Sequence, residues 1–146
     1  MEWAALITWV LTAGGGFFML GLWLKHGGMK QSGTSGQRIR SARILSHFAL
    51  AATGLVVWIV YVASDSEGLA WVAFGLLAVV ALLGFSMLAV WLRQRSAEPA
   101  GAGAEGAGRD ARPAEQHFPT AVVGLHGLLA ATTLVLVLLV AAGVAD

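Results

Sequence analysis

The chain has 146 residues, 58% of them hydrophobic, with a mean hydropathy of +0.76 and a formal net charge of +1. Ordinary soluble domains are about 45–50% apolar, so this composition points to lipid and away from a soluble enzyme or a basic nucleic-acid-binding module. The sequence has no cysteine, which excludes disulfides, thiolate metal sites, iron–sulfur ligation and haem attached through Cys-x-x-Cys-His, and leaves histidine and methionine as the soft ligands.

Four apolar runs follow one another, at 3–24, 44–63, 69–92 and 118–144. Each supplies the ~20 residues a helix needs to cross ~30 Å of hydrocarbon at 1.5 Å per residue. They predict an all-α fold, an antiparallel four-helix transmembrane bundle forming one domain over 1–146. The first run follows Glu2 in place of a basic region and ends at Lys25, so it reads as a span and not as a cleavable signal. The connection after it carries Gly27, Gly28, Gly33 and Gly36, then Arg38, Arg40 and Arg43 at the start of the second span. Ser64–Gly68 is short enough to make the second and third spans antiparallel neighbours. Residues 97–112 are rich in Ala and Gly, carry balanced charge and show no apolar pattern, which predicts a flexible linker. Pro113 and Pro119 frame the start of the fourth span, where a missing N–H costs nothing. No internal repeat stands out, although the second and fourth spans each hold one histidine.

Charge predicts the orientation. All nine Lys and Arg lie within Lys25–Arg43 and Arg93–Arg112, whereas the termini and the short turn carry Glu2, Asp65, Glu67 and Asp146. By the positive-inside rule the two long connections face the cytoplasm of a plasma-membrane protein and both termini face outward. Trp3, Trp23, Tyr61, Trp71 and Trp91 fall near span ends, as an interfacial aromatic belt requires.

His47 and His126 interrupt two of these apolar runs. An ionisable group at that depth calls for a partner, either another side chain or a bound metal. Counted from the outer ends Ala63 and Val144, the two lie about 24 and about 27 Å down at helical rise. Counted from Ile44 and Phe118 they differ by about 7 Å, a mismatch that a first helical turn standing above the membrane would remove. Two imidazoles at one depth on facing helices are what axial ligation of a b-type haem requires. Gly54 follows His47 on the same face together with Leu50, Ala51, Trp58 and Tyr61. Gly124, Gly127, Ala130 and Thr133 lie close to His126, and Gly14, Gly15, Gly16 and Gly21 add small residues on the first span. These either leave room for a flat macrocycle or simply let the helices pack closely. Arg43, one turn before His47, is the candidate partner for a haem propionate, since arginine presents a bidentate fork to carboxylates; Arg38 and Arg40 read as topology signals. His117 is half a turn out of phase with His126 and cannot share its iron. With His26 it reads as an interfacial, solvated residue, as a second haem pair, or, with Glu115, as a proton-accepting corner for a quinol. Met19 and Met87 read as packing residues.

Four spans, intramembrane His47 and His126, and arginines on the nearer side resemble the small four-helix membrane cytochromes b, in which two helices each supply one histidine to a haem. Ala114–Pro119 followed by Leu125-His126-Gly127 is also similar to an uncharacterised group of actinobacterial-type membrane proteins. The first resemblance implies haem b as cofactor, electron transfer as the activity, oxidoreductase chemistry if the chain is an enzyme, and a quinone, a larger redox complex or a second copy as partner. The chain lacks the fixed histidine pairs of the two-haem cytochrome b561 group. The residues also leave open a cofactor-free accessory subunit whose histidines hydrogen-bond within the bundle, and a small transporter or metal-handling protein. The last lacks carboxylates in the span interiors to serve as hard-cation ligands or a proton relay.

Overall fold

The computed structural model describes residues 1–31, 39–96 and 113–144. Of these, 89% are helical and none is in a strand. The elements are α1 (Glu2–Lys25), a single-turn α2 (Gly28–Gln31), α3 (Ser41–Ser64), α4 (Glu67–Ser96), a 3₁₀ turn (Ala114–His117) and α5 (Thr120–Ala141). The four long helices are each long and apolar enough to cross a membrane. The linker expected at 97–112, and Arg38, lie outside the described residues.

Local chemistry sets the helix ends. α3 stops at Asp65, whose left-handed φ of 56° turns the chain while its N–H still bonds the Tyr61 carbonyl at 2.8 Å. α5 begins at Thr120, two residues later than its apolar run suggests. Pro119 forces Phe118 into an extended conformation (φ −70°, ψ 125°), so the 3₁₀ turn cannot run on into α5. At the end of α1, Gly27 adopts φ 76° and folds Gly28 onto the Trp23 indole so closely that a Cβ at Gly28 would fall inside the ring.

The helices form a closed ring in which α3 packs mainly on α4 and α1 mainly on α5; α4 with α5 and α1 with α3 make the smaller contacts. One end carries Glu2, Asp65 and Glu67, the other Lys25, Arg40, Arg43, Arg93 and Arg95. The acidic half has a compact core of Ala5, Trp9, Trp58, Tyr61, Ala70, Ala73, Leu77, Val137 and Ala141. Trp58 stacks at a tilt on Tyr61 (4.7 Å) and on Trp9 (6.5 Å), and its indole N–H reaches the Glu2 carbonyl at 3.4 Å.

The basic end is closed by a second buried group, Trp23, Ile39, Trp91, Ala114 and Glu115. Glu115 is only 2% exposed. Its Oε1 accepts from the Ile39 N–H (3.0 Å) and Gln94 Nε2 (2.9 Å), while its backbone carbonyl accepts from the Trp91 indole (3.1 Å). Gln116 in turn donates to Gln94 (3.0 Å). A buried carboxyl is tolerable when its lone pairs are met in this way.

Candidate functional site

Between these two closed ends lies a belt in which no helical residue is buried. On α1 burial stops at Trp9 and resumes at Trp23; on α4 it stops at Val80 and resumes at Trp91. α3 has no buried residue before Gly54 and α5 none before Thr133. His47 and His126 both project into this belt, half-buried. Each is the seventh residue of its helix, so the helix starts at Ser41 and Thr120 put both about 9 Å in from the basic end. The mismatch expected from the sequence disappears because α3 starts earlier, and α5 later, than their apolar runs.

The two rings are held in the same manner. His47 Nδ1 lies 3.0 Å from the Val80 carbonyl of α4, and His126 Nδ1 lies 2.9 Å from the Thr12 carbonyl of α1. A carbonyl only accepts, so Nδ1 is the protonated nitrogen and Nε2 keeps its lone pair, the tautomer a metal-binding histidine takes when a carbonyl orients it. Neither Nε2 has a hydrogen-bond partner among the described residues, and no fully buried polar side-chain atom there is left unpaired, so both nitrogens are reachable.

The ring centroids are 6.4 Å apart with planes inclined at 52°. Two imidazole–metal bonds of about 2.0–2.1 Å plus two centroid-to-nitrogen distances of about 1.1–1.2 Å add to nearly the same separation for rings whose Nε2 atoms both turn onto the line between them. Glycines let the rings in. A Cβ at Gly84 would stand 3.3 Å from His47 Cε1, and one at Gly16 would stand 3.3 Å from His126 Cε1, with Gly15 next to it at 3.5 Å from Nδ1. A groove of about 320 Å³ lined by Leu11, Gly15, Val122, Leu125, Leu129 and His126 reaches the ring from the α1–α5 side. Phe17 and Phe48 meet edge to face at 5.3 Å on the α1–α3 side. Among the described residues no three His, Cys, Asp or Glu side chains converge, so the donor set does not form a cage for a bare cation. A set of two imidazoles suits a metal whose remaining positions a macrocycle fills, and in its donor chemistry alone the pair fits a haem.

The other candidates are distributed differently. Arg43 sits half-buried on the first turn of α3, and Arg40 is exposed at its N-cap. Gly54 is not brought to the histidines: it belongs to the acidic-half core, where a Cβ would come within 3.0 Å of the Trp9 ring. Gly127 is exposed with nothing within 4 Å of its Cβ position, and the same is true of Gly14, Gly21 and Gly124. Thr133 is buried and its hydroxyl lies 3.0 Å from that of Thr8, one layer beyond His126. His26 and His117 form a pair of their own, stacked at 3.8 Å and 10°, with Nδ1 atoms 2.8 Å from the Leu22 carbonyl and 3.3 Å from the Ala114 carbonyl. Stacked rings carry their nitrogens at the edges, so this pair does not sandwich an iron. The Glu115 carboxyl contacts Gln94 and Ile39, while His117 contacts His26.

The residues that position the imidazoles act through backbone carbonyls, Thr12 and Val80, or through the lack of a side chain, Gly16 and Gly84, and not through any side-chain functional group. Their role becomes visible only once the helices are paired. Comparison with protein-family profiles, with curated proteins and with solved structures finds no match to this chain, so its functional reading rests on the residues themselves.

Proposed function

We propose that the chain is a membrane electron-transfer protein of the b-type cytochrome kind, with one haem held between His47 and His126. The observation that carries this reading is the pair of imidazoles 6.4 Å apart, each with Nδ1 fixed on a backbone carbonyl and Nε2 left available. The four apolar helices support insertion as a multi-pass membrane protein, and the gathering of basic residues at one end supports an orientation with that end in the cytoplasm.

When bound, the haem supplies one-electron chemistry at iron. The chain's part would be to hold the two imidazole nitrogens of His47 and His126 in place, to keep carboxylate and thiolate ligands away, and to surround the group with apolar side chains. Arg43, on the same face as His47 one turn toward the basic end, supplies a cation for a propionate. A quinone or a partner redox complex is the electron-exchange partner, reached from the basic side nearer the histidines. A second reading, a cofactor-free accessory subunit, is favoured by one observation: both imidazoles already hold a backbone hydrogen bond without any ligand.

An absorption spectrum of detergent-purified protein after haem-replete expression separates the two. The electron-transfer reading expects a Soret band and sharp low-spin bands on dithionite reduction, both abolished in His47→Ala and in His126→Ala. A wild-type protein without a Soret band favours the accessory subunit.

A further inference from the structure

The two histidine seats are the same seat used twice. His47 of α3 bonds the carbonyl of Val80 and lies against Gly84, four residues further along α4; His126 of α5 bonds the carbonyl of Thr12 and lies against Gly16, four residues further along α1. With these contacts as register, the helix sequences superpose. Gly16-Phe17-Phe18-Met19-Leu20-Gly21-Leu22-Trp23-Leu24-Lys25 of α1 aligns with Gly84-Phe85-Ser86-Met87-Leu88-Ala89-Val90-Trp91-Leu92-Arg93 of α4. In the same register Trp3 aligns with Trp71 and Ala5 with Ala73. On the second helices, His47-Phe48-Ala49-Leu50-Ala51-Ala52-Thr53 of α3 aligns with His126-Gly127-Leu128-Leu129-Ala130-Ala131-Thr132 of α5.

Most of the buried positions on the long helices follow the same correspondence. Ala5 and Ala73, Trp9 and Leu77, Trp23 and Trp91, Gly54 and Thr133, and Trp58 and Val137 are all buried, each pair at matching positions. Even the Thr8–Thr133 contact has its counterpart in Leu76 against Gly54, with the Leu76 Cβ 3.6 Å from where a Gly54 Cβ would stand.

We infer that the chain is two tandem copies of one helix–loop–helix unit, related by a pseudo-two-fold axis that passes between His47 and His126, and that each copy seats the other copy's histidine. The helix pairing agrees: the second helix of each copy packs mainly on the first helix of the other, α3 on α4 and α5 on α1. Such parallel repeats share an axis along the bundle, so a ligand on it meets equivalent groups from both sides. Neither copy holds a complete site, and the site takes one ligand per chain that accepts two equivalent nitrogen donors. As a statement about haem this rests on the function proposed above; as a statement about the seats it does not. The copies differ beside the rings, where Phe48 packs on Phe17 but its counterpart is Gly127, with nothing within 4 Å of its Cβ position.

The test is nitrogen NMR of full-length protein labelled at histidine and purified without added haem, with signals assigned through His47→Gln and His126→Gln. Both rings are expected as the Nδ1–H tautomer. Gly84→Ala is expected to shift the His47 nitrogens more than those of His126, because its Cβ meets that ring alone; Gly16→Ala should do the reverse. Alanine strengthens a helix relative to glycine, so both variants fold, and Gly75→Ala, whose Cβ meets nothing within 4 Å, should move neither ring. A Gly84→Ala that moves His126 more than His47, or glycine variants that leave both rings unmoved, overturns the exchanged seats. Because no haem is used, this result and the absorption test can fail independently.

Discussion

The acidic half and the histidine belt are built from the same four helices, yet one is closed and the other is not. In the acidic half Trp9 and Trp58 fill the space between helices and Gly54 gives way to them. In the belt His47 and His126 meet each other and lie against Gly84 and against Gly15 and Gly16, and no helical residue there is buried. Close packing is what holds such apolar helices together, so the first region is where the fold is held and the second is where it is more loosely held. Stability and ligand binding should therefore respond to different substitutions.

The largest effect separates the two directly. Trp58→Ala removes a side chain with no exposure from the centre of the closed half and should destabilise the bundle by about 3–5 kcal/mol. His47→Ala removes one hydrogen bond from the half-open belt and should cost the ligand-free protein about 1 kcal/mol. Steric-trap or thermal unfolding in detergent measures both, and equal losses would erase the distinction between the regions.

Gly54→Ala is the intermediate case. Its new methyl would press on Trp9 at 3.0 Å, and overpacking of this kind costs about 1–3 kcal/mol. Gly127→Ala, with open space around it, should leave the unfolding midpoint unchanged or slightly raised. A Gly127→Ala as damaging as Gly54→Ala would show that the belt is as tightly packed as the closed half.

The smallest effect concerns Arg43. In the proposed haem complex, a guanidinium roughly 10 Å from the iron acts at about 1.7 kcal/mol at an effective dielectric near 20, or about 70 mV for one electron. Positive charge favours the reduced, less positive iron, so Arg43→Gln should lower the midpoint potential by about that amount in a redox titration. Arg95→Gln should shift it less, since the Arg95 guanidinium lies over the Trp91 ring at 4.8 Å near the end of α4. An unchanged potential in Arg43→Gln, with haem retained, leaves Arg43 a topology signal.

The helices and the meeting of His47 with His126 are legible in the sequence because hydropathy over twenty residues is a strong signal and a histidine within it is conspicuous. The start of α5 was misplaced because Phe118 extends the apolar run while Pro119 ends its helical continuity. Gly54 and Gly127 drew attention by lying near the histidines along the chain, whereas the glycines that touch the rings, Gly16 and Gly84, lie on other helices. The duplication was present in the sequence but obscured. Apolar residues replace one another freely in such helices, the loops between them differ in length, and only the histidine contacts fix the register.

The most direct measurement is the haem content of the purified full-length protein by pyridine haemochrome, with wild type and both histidine variants expressed under haem-replete conditions. One b-type haem per chain in the wild type, lost on replacing either His47 or His126, is the predicted result. A wild-type protein that binds no haem, or one that keeps a six-coordinate haem without His126, would contradict it.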